Sequence, residues 1–97
     1  MYIKKTVEFS DWLKSESAKS KAQVDSRLKL ISKSNHFGDC KSLGGGLCEL
    51  RWKNGRRVYF TIYENEGKYF LALLGGIKNA QNKDIKKARK ILERYKK

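Results

Sequence analysis

The chain contains no proline, a single histidine, two cysteines and only ten acidic residues among its 97. Each shortage removes a class of explanation. Without proline, repeats or low-complexity stretches, nothing marks an internal linker, so residues 1–97 are expected to form one domain around one modest core. Cys40 and Cys48 form no CxxC motif, and His36 stands alone, so a Cys/His zinc site is not expected and neither is a cofactor. In a reducing compartment the two cysteines read as a loop thiol and a core thiol. No apolar stretch approaches the roughly 20 residues that span a bilayer. Met1 to Lys5 lacks the apolar core of a signal peptide. A cytoplasmic protein without membrane association is expected.

The scarcity of acid leaves 23 Lys plus Arg against 10 Asp plus Glu, a formal charge of +13. Such a field favours a polyanion or a strongly acidic protein partner. The excess is uneven: residues 83–97 hold eight Lys or Arg against Asp84 and Glu93. The last helix is therefore a cationic rod, read either as a contact surface or as a solvated face.

Hydrophobic spacing gives the order of elements. Tyr2 to Val7 reads as a short edge strand carrying Lys4 and Lys5. Phe9, Trp12 and Leu13 follow at helical spacing behind Thr6 or Ser10 as cap. Ser20 to Gln23 has the form of a capping box, with Val24, Leu28 and Ile31 behind it, which predicts a second helix to about Lys33. Phe37 to Gly46 holds four glycines and reads as a loop. Leu47 to Lys53 and Arg56 to Ile62 alternate as strands. Glu64 to Gly67 turns the chain into the apolar strand Tyr69 to Leu74, a strand covered on both sides or lying mid-sheet. Gly75-Gly76 ends it, and Ile85, Ala88, Ile91, Leu92 and Tyr95 mark the buried stripe of a final helix capped by Asn79. The expected class is α+β, ordered β-α-α-β-β-β-α, with a mainly antiparallel twisted sheet and helices on one face.

Register decides which side chains share the other face. If Cys48, Leu50 and Trp52 are buried with Val58, Phe60 and Ile62, paired positions must sum to an even number. A two-residue turn at Asn54-Gly55 fails that test. A three-residue loop, Lys53 to Gly55 with Gly55 left-handed, pairs Trp52 with Arg56, Arg51 with Arg57, Leu50 with Val58 and Glu49 with Tyr59. Like charges directly opposite are destabilising, so Arg51 beside Arg57 asks for an anion, a phosphate-binding geometry. The alternative is that one arginine pairs with Glu49 and the other with solvent. On the phosphate reading, Arg57→Ala leaves the melting temperature unchanged or raised.

Glu49-Leu-Arg51, Arg57-Val-Tyr59, Leu73 to Gly76 followed by Lys78, and Gln81 with Asp84-Ile85 occur here in order. Together with Phe9-x-x-Trp12-Leu13, Arg27-Leu28 and Gly38 to Gly44, this set resembles the bacterial RelE/ParE superfamily of toxins. More narrowly, it resembles the phage-derived, HigB-like addiction module killer proteins. The chain departs from that pattern in its short, proline-free hairpin loop, in Ile77 where an acidic residue is usual, and in Ala80 where a hydroxyl residue is usual. The resemblance implies a toxin that inhibits translation by cutting mRNA in the ribosomal A site without a metal, neutralised by an antitoxin often of helix-turn-helix type.

The chemistry implied is attack of a 2′-hydroxyl on its own phosphate, for which positioning and charge stabilisation carry much of the work. Arg51, Arg57, Tyr59 and Lys78 are the expected catalytic set, with Arg57 placed by the resemblance. A guanidinium fork suits phosphate better than an ammonium, so Arg57→Lys is not expected to be silent. Glu49, Lys53, Arg56, Gln81 and Tyr95 are expected around the substrate. Glu49 acts either as a base or as a holder of the arginines, Tyr59 stacks on a base or donates a proton, and His36 is a loop residue that could supply an acid. Competing readings are a ParE-like gyrase poison and a noncatalytic basic module that binds nucleic acid.

Overall fold

A computed structural model describes residues 1–96; Lys97, the end of the cationic run, lies outside the described residues. The elements are β1 (Tyr2–Lys5), α1 (Val7–Lys14), α2 (Ala18–Ser34), β2 (Cys40–Gly44), β3 (Leu47–Arg51), β4 (Arg56–Glu64), β5 (Lys68–Ile77), a 3-10 turn (Lys78–Ala80) and α3 (Gln81–Tyr95). One five-stranded sheet runs β1-β5-β4-β3-β2. β1 lies parallel to β5, and the other pairings are antiparallel. The α+β class holds, with one strand more than the sequence pattern announced.

That strand is β2, in the glycine-punctuated stretch read as a loop. It pairs Cys40 with Leu50 and Ser42 with Cys48. Its lead-in is held from outside: Arg51 N–H donates to Asp39 O at 2.9 Å, and Arg27 of α2 donates to the carbonyls of Phe37 and Asp39 at 3.0 and 2.6 Å. Tertiary pairing supplies what the local sequence lacks.

The helix ends follow capping chemistry. Thr6 ends the first strand short of Val7, because its hydroxyl accepts from Phe9 N–H at 3.0 Å and starts α1. α2 begins about a turn earlier than expected, since Ser17 is the cap and accepts from Ser20 N–H at 3.2 Å. Asn79 caps nothing: the 3-10 turn runs directly into α3, and Ala80 at the cap position offers no side-chain hydrogen bond.

The helices do not share one face. α1 and α2 bury Phe9, Val24, Leu28 and Ile31 against Leu50, Val58, Phe60, Phe70 and Ala72. α3 buries Ala88, Ile91 and Leu92 against Leu47, Tyr59, Leu71, Leu73 and Leu74 on the opposite face. Alternation along β5 feeds both layers, and a bulge shifts it near the end of the strand. The register with β4 slips between Tyr59/Leu74 and Phe60/Ala72, so Leu73 and Leu74 both join the α3 side. The slip then sends Gly75 toward α1 and Gly76 toward α3. A Cβ on Gly75 would stand 2.1 Å from the Trp12 ring, and one on Gly76 would stand 2.0 Å from Asp84 Oδ2. The pair therefore lies inside β5, where both helices come down onto bare backbone, instead of ending the strand.

Two consequences can be measured. Gly75→Ala is expected to lower unfolding free energy by about 3 kcal/mol in urea, since the Trp12 ring cannot yield without leaving the core. Cys40 is exposed and Cys48 half-buried, and burial pushes the Cys48 thiol up. Alkylation followed by mass spectrometry should therefore label Cys40 well before Cys48 in the folded protein.

Candidate functional site

The β3–β4 register is the one derived from parity: Glu49 faces Tyr59, Leu50 faces Val58 and Arg51 faces Arg57. Gly55, at φ 94°, closes the loop. Its N–H donates to Trp52 O at 3.0 Å while Trp52 N–H donates to Arg56 O at 3.0 Å. Glu49, Arg57 and Tyr59 are thus brought together at one end of the sheet, on the side that α3 covers.

That cover changes their character. Glu49 and Tyr59 are 0% exposed and Arg57 only 8%, so they do not form an open polar face. Gln81 from the first turn of α3 reaches down and donates through Nε2 to Glu49 Oε2 at 2.6 Å. Glu49 Oε1 lies 3.9 Å from Arg57 Nε, and Arg57 Nη1 donates to the carbonyls of Arg56 and Trp52 at 3.0 and 3.3 Å. Glu49 Oε1, Arg57 Nε and the Tyr59 hydroxyl are buried without a well-formed hydrogen bond. Three underused polar atoms side by side are an expensive arrangement for structure alone.

Burial first, then the nearby Glu49 and Asp84 carboxylates, raise the Tyr59 phenol above its ordinary value, with Arg57 pulling the other way. A phenol so placed keeps its proton at neutral pH and can donate but not accept it. Stacking Tyr59 on a nucleobase is excluded while α3 is in place.

Arg51 and Arg57 stand opposite each other, yet each has an acidic neighbour. Arg51 Nη2 meets Asp39 Oδ1 at 3.3 Å, and Glu49 serves Arg57. The strain that the bare pairing implied is therefore largely relieved, and the expectation that Arg57→Ala costs nothing is reversed: Glu49 would be left as a buried charge. Arg51 is half-exposed, while Lys53 and Lys78 are exposed on a shallow groove with Asn54, Gly55, Ile77 and Asn79. Lys78 is fixed there by its N–H, which donates to Gly55 O at 2.7 Å. Arg51, Lys53 and Lys78 form the accessible cationic rim, and Arg57 lies behind it.

Two expected substrate contacts lie elsewhere. Arg56 alternates to the other face, where Nε donates to Glu16 Oε1 at 2.6 Å. Tyr95, 52% exposed, sits at the far end of α3, about 20 Å from Gln81 at 1.5 Å per residue. There it lines an apolar groove with Gly46, Thr61, Tyr63 and Leu92. His36 is exposed beyond the end of α2. Conversely, Asp39 and Asp84, which belong to the motif segments of the resemblance without an expected role in the site, enter it, Asp39 from a loop and Asp84 from α3. Among the described residues no group of three His, Cys, Asp or Glu side chains is arranged to hold a metal, and no helix is long and apolar enough to cross a membrane.

No protein-family model matches the chain. A Haemophilus influenzae protein described as uncharacterized is 38% identical over 88 residues, covering 90% of this chain and 88% of its own length. Among solved structures, the YoeB/ParE toxin from Agrobacterium tumefaciens superposes with a TM-score of 0.61 at 13% identity, over 79% of this chain and 98% of that one. At that identity the likeness is one of fold.

Arg57→Ala is expected to lower unfolding free energy by about 3 kcal/mol through the uncompensated Glu49 charge. The double variant Arg57→Leu/Glu49→Leu should recover most of it. Urea unfolding of the wild type, Arg57→Leu, Glu49→Leu and the double variant measures the coupling directly.

Proposed function

The chain belongs to one family with the Haemophilus influenzae protein, and from the YoeB/ParE-like fold and the arginine site beneath α3 we propose that it is the toxin of a toxin–antitoxin pair, a metal-independent endoribonuclease that cuts mRNA at the ribosomal A site. The observation that carries this reading is Arg57. Its guanidinium is oriented by two backbone carbonyls and a buried carboxylate, behind a rim of Arg51, Lys53 and Lys78. A preoriented guanidinium beside accessible cations suits a phosphate whose charge grows during in-line attack. The charge of +13 would draw the protein to ribosomal RNA. Its neutraliser would be an antitoxin, of helix-turn-helix type, and its setting the cytoplasm.

A second reading has its own observation. Complete burial of Glu49 and Tyr59 leaves fewer groups for catalysis than the strand pattern offered, which favours a ParE-like inhibitor of gyrase that binds and does not cut.

Induction of the wild type in a bacterial host, with primer extension on abundant mRNAs, separates the two. In-frame cuts within translated regions support the endoribonuclease, whereas growth arrest without cuts supports the gyrase reading. Arg57→Lys, which keeps the charge over Glu49 but loses the fork, should cut about 100-fold more slowly with near-normal folding by circular dichroism.

A further inference from the structure

The site needs a group to accept a proton from the attacking hydroxyl, and the strands do not provide one. Glu49 is sealed at 0% exposure with Oε2 taken by Gln81, and Tyr59 holds its proton too tightly. Asp84 enters from α3. Its carboxylate rests on the bare backbone of Gly76, within 2.0 Å of where a Cβ would stand, and Gly76 is the ladder partner of Arg57. Asp84 thus fills, from above, the place that a β5 side chain would occupy beside Arg57, one ladder step from Tyr59. It is half-buried, reaching both site and solvent, and it takes part in none of the ion pairs among the described residues. Burial raises its carboxyl above the ordinary value, opposed by Lys87 and Lys83 of its own helix. From the sheet, the nearest charged and titratable groups on its side are Arg57, Tyr59 and Glu49, with Arg51, Lys41 and Tyr63 farther along the same face.

We propose that Asp84 is the general base of the cleavage reaction, receiving the proton of the ribose 2′-hydroxyl while the phosphate is held by Arg57 and the cationic rim. The proposal rests on the endoribonuclease reading above. In the step, the 2′ oxygen forms a bond to phosphorus, the bond from phosphorus to the 5′ oxygen breaks, the 2′ proton passes to an Asp84 carboxylate oxygen, and the leaving 5′ oxygen takes a proton from solvent. The products are a 2′,3′-cyclic phosphate and a free 5′-hydroxyl. Glu49 is then a positioning residue, holding Gln81 and Arg57.

The test is a pH–rate profile of the full chain on ribosomes programmed with a short mRNA and on a free RNA oligonucleotide. The wild-type rate should rise with pH along an acidic limb. Asp84→Asn should lose about 100-fold and the limb with it, Asp84→Glu should keep the limb at a reduced rate, and Glu49→Gln should keep it unshifted. Folding does not confound this. A carboxyl raised by burial contributes its stability below its unfolded value and loses it as pH rises through the folded one, so Asp84→Asn should melt no lower than wild type at neutral pH. A substrate with sulfur in place of the bridging 5′ oxygen, whose leaving group needs no proton, should remain slow with Asp84→Asn. Restored cleavage there would make Asp84 the acid, and a limb that persists in Asp84→Asn would remove it from proton transfer; either result overturns the proposal. A wild type that cuts neither substrate removes the endoribonuclease reading itself, and the base with it.

Discussion

A carboxylate with no access to water sets the terms for this end of the molecule. Glu49 is 0% exposed, and an isolated buried charge is far too costly to keep. It is tolerated because Arg57 stands diagonally across the ladder and Gln81 comes down from α3. Those two partners arrive from different elements, so the charge requires both the β3–β4 register and the seating of the helix. Had the register slipped by one residue, Glu49 would face α1 and α2 among apolar neighbours such as Val58 and Phe60, away from Arg57 and Gln81. The Arg56–Glu16 pair performs a similar service on the other face, which is why neighbouring arginines on one strand have unlike fates.

The sheet is sandwiched, and β5 serves both helical layers by alternation until the bulge at Leu73–Leu74 resets it. Up to Ala72, β5 alternates normally. Beyond the slip its two glycines present backbone to Trp12 on one side and Asp84 on the other. Chain geometry, rather than any one side chain, thereby brings a helix-borne carboxylate level with the strand-borne arginine.

The register was legible because parity and a left-handed glycine leave a single solution. The helix on the second face was not, because Glu49, Arg57 and Tyr59 read as a polar stripe and the apolar strand Tyr69 to Leu74 fits a mid-sheet place as well as cover on both sides. Tyr59 misled most: a phenol suits a solvated face and a core equally. Arg56 was separable in principle, since period-two alternation sends it away from Arg57. Asp84 stands in the ordered set of motif residues, but its spacing from the helix stripe says nothing of the bare Gly76 backbone that it meets. Asp39 and Ser17 belong to irregular segments, and there local pattern holds little information about tertiary partners.

The parallel pairing of β1 with β5 joins Tyr2 to Tyr69 and Lys5 to Ala72. Such a contact closes a loop of most of the chain, so its closure costs more conformational entropy than the short-range pairings of the β2 to β5 meander. α3 in turn follows every strand it covers. Until α3 is seated on the sheet, Glu49 is wet, Tyr59 uncovered and Asp84 out of place, so the site is complete only when the last helix closes on the strands.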